Sequence, residues 1–301
     1  MQYIYGFENF HSSKPSAITF GKFDGLHRGH QILVGYVKAY GQGDDMNSIV
    51  CSIDKNPDVV LMTKDEQKAK LKPQVDYLVT CPFTEEFKKM PAETFIRDVI
   101  KGVFHAEYVV VGFNFLFGHN AEGSVWLLQQ LAEKYNYKVV VVGEKTFRGQ
   151  SISSTYIRSS LKRGEIELAN SMLGYNYGIT GRISHGQKLG TTLGVPTLNI
   201  VWPDKKLIPP RGVYLAKVFV DGHWYNGVAN IGTRPTVTND KTVVFECFLL
   251  RFNGNIYGRK AKAELIDFLR PEEKFNSIDE LKAQLKEDII AAKTYFECSK
   301  R

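Results

Sequence analysis

The chain has 301 residues, 43% hydrophobic and 24% charged. At ~100–200 residues per domain this predicts about two folded domains and excludes disordered, collagen-like and low-complexity architectures. Basic residues exceed acidic ones by 39 to 32 for a formal net charge of +7, and the excess lies in residues 170–301; scattered rather than clustered, it suits a polyphosphate pocket as well as a nucleic acid surface. In the first half, short runs rich in Val, Ile, Tyr and Phe at Ala17–Phe20, Ile49–Ile53, Tyr77–Thr80, Tyr108–Val111 and Val139–Val142 read as buried parallel strands. Between them, helical spacing is carried by Ile32, Leu33, Tyr36, Val37 and Tyr40, by Phe95, Ile96, Val99 and Ile100, and by Val125, Leu127, Leu128, Leu131 and Ala132, with a further helix expected between Leu61 and Val75. The alternation predicts a doubly wound α/β domain that binds ligands at the carboxyl ends of its strands.

The pattern changes near Leu173–Gly178, after a helical hinge region over 159–170. This divides the chain into domains 1–173 and 174–301. Glycine-broken β-runs follow at Ile179–Ser184, Gly212–Val220, Trp224–Ala229, Val243–Phe252 and Lys260–Phe268, and Asp221-Gly222 and Asn253-Gly254 both suit tight hairpins. A small antiparallel β-barrel is expected. The chain ends in a helix that starts at Ser277 and Glu280 and carries Ile278, Leu281, Leu285, Ile289 and Ala292 as a stripe packed against the barrel. Cys51, Cys81, Cys247 and Cys298 are far apart, without CxxC spacing, and read as reduced structural residues rather than disulfides or zinc ligands. No apolar run reaches the ~20 residues of a membrane span, and MQYIYGFENF lacks signal-peptide features. A cytoplasmic protein without a membrane partner is expected.

Residues 21–30, GKFDGLHRGH, leave the first strand and enter the first helix. A strand-to-helix turn offers free N–H groups and the positive end of the helix dipole, so His27 and His30 are placed to hydrogen-bond a triphosphate. Gly25 and Gly29 allow close backbone approach, and Asp24 can order the loop or a metal. The decapeptide resembles the GxFDGxHxGH signature of the FAD synthetase type of nucleotidyltransferase, and ISSTYIR at 152–158 resembles that family's second ATP motif. The resemblance implies ATP binding by Gly21, Phe23, Asp24, His27 and His30 on one side. It implies Ser153, Ser154, Thr155 and Arg158 on the other, with His27, His30 and Arg158 serving catalysis. Hydroxyls and a guanidinium at a helix start are by themselves an anion clamp. GFNFLFGHNAEG at 112–123 matches a further family segment, which implies that Asn114, Phe113 and Phe115 contribute to the nucleotide and flavin sites. Phe113, Phe115 and Phe117 offer apolar π surface, and at least one of the three is expected in the core. At 52–57 the chain reads SIDKNP, so Asn56 stands where the family often has histidine.

GTTLGVPTLN at 190–199, preceded by HGQKLG, resembles the GxxxGxPTxN signature of riboflavin kinases. Gly186, Gly190 and Gly194 would cradle phosphates, while Thr197 and Asn199 would bind Mg²⁺ and the nucleotide. RGVY at 211–214, GVANIGTRPT at 227–236, VVFECFLLRF at 243–252 and KFNSIDELKAQLKED follow in the family's order. Glu246 aligns with its general base, which takes the proton of the attacking ribityl alcohol. Phe248 and Arg251 stand where the family commonly has histidine and aspartate, and Gln187, Lys188 and Leu189 replace a more basic loop. The resemblance implies a bifunctional riboflavin kinase/FMN adenylyltransferase acting on the small molecules ATP, riboflavin and FMN, with Mg²⁺ and no nucleic acid. Two rivals remain open at this point: an adenylyltransferase with a degenerate kinase module, and a non-catalytic flavin- or RNA-binding regulator. The absence of a basic stripe or an RRM, KH or zinc motif weighs against RNA.

Overall fold

The computed structural model describes residues 1–43, 45–185, 197–235 and 241–298. Gly186, Gly190 and Gly194 lie outside them, as do Gln187, Lys188 and Leu189. The chain divides into two compact units, Met1–Ser154 and Thr155–Arg301.

The first unit is built on one fully parallel sheet of β1 (Gln2–Tyr5), β2 (Ser16–Gly21), β3 (Asn47–Asp54), β4 (Tyr77–Pro82), β5 (Ala106–Gly112) and β6 (Lys138–Val142), in spatial order β1-β4-β3-β2-β5-β6. The five expected strands are all present. In β2 every residue from Ser16 to Phe20 is buried, the continuous burial of a parallel strand covered on both faces. The sixth strand, β1, went unread because only Ile4 of QYIY is buried; it pairs with Tyr77–Thr80 at the sheet edge. Helix α1 (Arg28–Gly43) buries Leu33, Val34 and Val37 and packs on β2, β3 and β5. Helix α2 (Lys64–Leu71) opens with a capping box in which Thr63 Oγ1 accepts from Glu66 N and Glu66 Oε2 accepts from Thr63 N. The third helical pattern folds as a π-helical segment, Phe95–Val103, burying Phe95, Ile96, Val99 and Ile100. Helix α3 (Val125–Gln130) completes the set. Cys51 and Cys81 meet between β3 and β4 in the core as free thiols, their sulfurs 2.9 Å apart in a hydrogen-bonding contact.

From β2 the chain moves outward through β3 to β4, then returns to the other side of β2 to lay down β5 and β6. The strand order therefore reverses between β2 and β5, and in open parallel sheets the carboxyl ends at such a reversal form the ligand crevice. GKFDGLHRGH leaves β2 there and GFNF leaves β5 there.

Helix α4 (Ser154–Lys162) begins at the boundary between the units, and α5 (Ile166–Leu173) belongs to the second. The composition change near Leu173 marks the end of α5, whereas compactness divides the chain earlier, because α5 packs on the barrel. Asn170 Nδ2 donates to Leu265 O at 2.9 Å, and Asn170 Oδ1 accepts from Tyr177 N at 2.7 Å. Gly174, in the left-handed region, ends the helix.

The barrel consists of β7 (Gly178–Arg182), β8 (Ser184–His185), β9 (Thr197–Val201), β10 (Gly212–Val220), β11 (His223–Pro235), β12 (Lys241–Leu249) and β13 (Lys260–Pro271), all antiparallel, in order β7-β13-β10-β11-β12-β9-β8. One stretch nearly closes it: Gly178–Arg182 pairs with β13, then past Ile183 the chain pairs with β9. At the closure a Cβ on Gly181 would lie 2.5 Å from Ile200, so only glycine fits. Asp221 and Gly222 both take positive φ in the two-residue hairpin that pairs Val220 with His223, as expected. The second hairpin is not found. Neither Asn253 nor Gly254 has positive φ, β12 ends at Leu249, and the loop crosses to β13, which pairs with β10 and β7 rather than β12. Helix α6 (Ile278–Cys298) starts with Ser277 Oγ accepting from Glu280 N at 3.1 Å, while Glu280 reaches back to Asn276 N. Its buried residues are Asp288, Ala292 and Phe296, not Ile278, which is exposed. No described helix is long and apolar enough to cross a membrane.

Candidate active sites

The first site is built on the turn between β2 and α1. Phe23, Gly25 and Leu26 all have positive φ, and the turn is held from several directions. Asp24 Oδ1 accepts from Leu61 N (2.8 Å) and Met62 N (3.3 Å), Ser52 Oγ donates to Lys22 O, and Gln67 Nε2 donates to Phe23 O. Asp24 thus orders the loop through its carboxylate. Phe23 is fully buried beneath the turn, its ring close to Gly21, so it supports the backbone from below.

His27 caps α1. Its Nδ1 accepts from His30 N at 3.4 Å, which places the proton of the neutral ring on Nε2. The two imidazoles stack with centroids 3.6 Å apart, and Phe23 lies 5.1 Å from His30. A Cβ at Gly29 would sit 3.3 Å from the His27 ring, so glycine between the histidines lets His27 fold over the helix start. Burial lowers the His27 pKa from 6.5 to about 4, against a smaller opposing effect of its backbone hydrogen bond. Burial, and secondly His27, push His30 well below its ordinary value. Both rings are neutral at physiological pH. Among the described residues His30 Nδ1 is buried without a hydrogen-bond partner, an orphan of the kind that binding sites retain.

Ser154 opens α4, and its hydroxyl donates to Asp24 O at 2.9 Å, tying the second motif to the first. Ser153 precedes it. Thr155 is exposed, and Arg158 lies half-buried one turn along the helix, within the second unit. At the end of β5, Phe113 is 50% exposed, Asn114 is exposed, and Phe115 is partly buried, stacked 5.5 Å from Phe117 and 6.4 Å from Phe20. Phe117 is the ring that joins the core. Asn56, at positive φ, donates its N–H to Asp54 Oδ1 at 2.8 Å. Lys145, on the loop after β6, lies near the helix start: a Cβ built on Gly29 would be 4.0 Å from Lys145 Cβ. Lys55 stands 4.0 Å over the Phe83 ring, and its pKa is lowered by desolvation and then by Lys22 and Lys88. Of these neighbours Lys22 follows β2, while Lys88 lies on the helix after β4 and pairs with Glu85 at 3.4 Å.

The second site lies on β9 and β12. The register places Asn199 opposite Glu246 and Asn230 on the far side of Glu246. Thr197 Oγ1 donates to Glu246 Oε1 at 2.5 Å, and Asn199 is fully buried. The structure therefore brings together Thr197, Asn199 and Glu246, which are remote in sequence. Strand β9 departs from the loop expected of GTTLGVPTLN: Thr197–Val201 pairs along β12. Among the described residues there is no group of three His, Cys, Asp or Glu to hold a metal. Thr197 and Asn199 nevertheless offer neutral oxygen ligands, which fit Mg²⁺ when substrate phosphates supply the remaining ligands.

The FAD synthetase family profile matches residues 9–156, and the riboflavin kinase profile matches residues 173–296. The bifunctional riboflavin kinase/FMN adenylyltransferase of Listeria monocytogenes is 35% identical, aligned over 93% of this chain and 92% of its own. That of Escherichia coli K12 is 33% identical over 100% of this chain and 99% of its own. The chain belongs to the bifunctional riboflavin kinase/FMN adenylyltransferase family. A crystal structure described as a macrolide-efflux protein from Streptococcus pneumoniae matches with a TM-score of 0.85 and 28% identity, covering 97% of this chain and 98% of that one.

Two departures from the riboflavin kinase pattern have a common structural setting. Phe248, on the same face of β12 as Glu246, packs into the cluster of Val213, Leu215, Val228, Ala292 and Phe296 beneath α6. Arg251, at positive φ just past β12, pairs with Glu297 of α6 at 2.8 Å. Phe248 thus lies against apolar packing that includes the terminal helix, whereas the Arg251–Glu297 pair is a solvent-exposed contact.

Proposed function

We propose that residues 174–301 transfer the γ-phosphate of ATP to riboflavin, giving FMN and ADP, and that residues 1–173 then adenylylate FMN, giving FAD and pyrophosphate. The first of these domains in chain order is read as doubly wound and Rossmann-like, and the enzyme as cytoplasmic. In the kinase step Glu246 accepts the proton of the ribityl alcohol as its oxygen attacks the γ-phosphorus. Thr197 and Asn199 would hold Mg²⁺, which neutralises phosphate charge when bound. Gly186, Gly190 and Gly194 are assigned to the phosphates from sequence alone.

In the adenylyl step the FMN phosphate attacks the α-phosphorus and pyrophosphate leaves. Neutral His27 donates through Nε2–H to the phosphates beside His30, at a helix start whose N–H groups face the same charge. Asp24 and Ser154 hold the loop, Gly21 and Phe23 shape it, Ser153 and Thr155 offer hydroxyls, and Arg158 supplies the bidentate cation. Asn114, Phe113 and Phe115 are assigned to the flavin side. The observation that carries this reading is the buried, neutral His27–His30 stack at the strand reversal, where an open parallel sheet binds its ligand.

The test is incubation of the full chain with riboflavin, ATP and Mg²⁺, followed by chromatography. FMN and then FAD are expected. FAD from added FMN without consumption of riboflavin would remove the kinase step, and neither product would remove both.

A further inference from the structure

Tyr257 lies on the crossover loop between β12 and β13 and touches two strands at once. Its ring stacks on the His185 imidazole of β8, centroids 3.6 Å apart and planes 25° from parallel. Its hydroxyl donates to the carbonyl of Thr197 at 3.2 Å. Thr197 is the first residue of β9, and the described pairing of β8 with β9 stops one residue short of it, at Leu198. Past that point Tyr257 holds the Thr197 carbonyl from one side while Phe248 faces it in the β12 register. The Thr197 hydroxyl then reaches Glu246 at 2.5 Å.

We infer that Tyr257 is a positioning residue for riboflavin phosphorylation: anchored on His185, its hydroxyl fixes the start of β9 and so the alignment of Thr197 on Glu246. The inference rests on the kinase reading above. A shift of about 1 Å in a group that orients a reacting partner can cost on the order of 10²-fold in rate. The stacked ring supplies a rigid base at low entropic cost, and the hydroxyl supplies the directional bond.

The experiment compares Tyr257→Phe and Tyr257→Leu, alone and combined with Thr197→Val, in the full chain. Riboflavin phosphorylation is measured, with adenylylation of supplied FMN in the same preparations as control. Loss of one neutral hydrogen bond predicts a kcat about fivefold lower for Tyr257→Phe, and loss of the ring as well predicts at least about tenfold for Tyr257→Leu. The KM for riboflavin should be unchanged, and adenylylation should stay at the wild-type rate. If Tyr257 acts through Thr197, the Tyr257→Phe penalty disappears in the Thr197→Val background. A wild-type kcat in Tyr257→Phe, or the full penalty persisting in the double variant, overturns the inference alone. A wild-type chain that leaves riboflavin unphosphorylated overturns the kinase reading and the inference together.

Discussion

The Nδ1 atom of His27 accepts the backbone N–H of His30 while the two imidazoles stack 3.6 Å apart. One side chain therefore caps the helix, fixes its own tautomer and walls in its neighbour. A protonated His27 could neither accept the cap bond nor keep that tautomer, since its Nδ1 would carry a proton toward the helix start.

This geometry predicts a pH dependence of stability. In the unfolded chain both imidazoles titrate near their ordinary value of about 6.5, whereas in the fold burial holds His27 near about 4 and His30 well below 6.5. Across that window the unfolded chain binds more protons. The stability contributed by the neutral rings is therefore complete above about pH 6.5 and is lost as pH falls toward about 4. Urea midpoints measured near pH 7 and pH 5 should fall less in a His27→Asn/His30→Asn variant than in the wild type, asparagine preserving the cap. Equal falls would remove the histidines from the acid sensitivity.

His30→Ala should abolish FAD formation while FMN formation from riboflavin continues, because only the β2–α1 turn uses that imidazole. Both products can be followed in one chromatogram. Equal loss of both activities would contradict two separate sites.

Arg158→Ala should slow adenylylation by at least about tenfold, since a charge-assisted hydrogen bond contributes roughly 1.5–3 kcal/mol. Arg158→Lys should restore only part of the rate, because an ammonium cannot reproduce the planar fork. Steady-state FAD synthesis from supplied FMN provides the measurement, and wild-type rates in both variants would make the arginine a bystander.

Glu246→Gln keeps the size of the side chain and its ability to accept from Thr197 but removes the proton acceptor, so riboflavin phosphorylation should fall by ~10²–10⁴-fold. FMN adenylylation in the same preparation should be unaffected. Unchanged phosphorylation would take Glu246 out of the mechanism.

Asp288 on α6 receives both Nε and Nη2 of Arg270 on β13, at 2.9 and 2.8 Å, with side-chain exposures of 5% and 16%. Asp288→Ala removes two charge-assisted hydrogen bonds while Arg270 keeps Glu273 at 4.0 Å and Pro271 O at 3.2 Å, so it should destabilise the second unit by about 1.5–3 kcal/mol. Denaturant unfolding checks this. A change below about 1 kcal/mol would mean that water reaches the guanidinium once the carboxylate is gone.

What could be read along the chain was what short-range physics determines. Continuous apolar runs such as ITF and VVV marked parallel strands, and Asp221-Gly222 specified a hairpin because both residues tolerate positive φ. Other features depend on which distant strand lies alongside, and that is decided when apolar faces and backbone hydrogen bonds are satisfied together. Asn253-Gly254 carries the same hairpin signal as Asp221-Gly222, yet β13 pairs with β10 and β7, so its turn became part of a crossover. Strand β1, with one buried residue, exists because β4 presents an edge to it. The reversal between β2 and β5, the Asn199–Glu246 register, the Arg270–Asp288 pair and the clasp of Tyr257 on Thr197 all join residues far apart in the chain. Their side chains were visible from the start, but a one-residue slip between β9 and β12 would turn Asn199 and Glu246 to opposite faces, and the other pairs exist only once distant elements have packed together, so these partnerships belong to the tertiary structure alone.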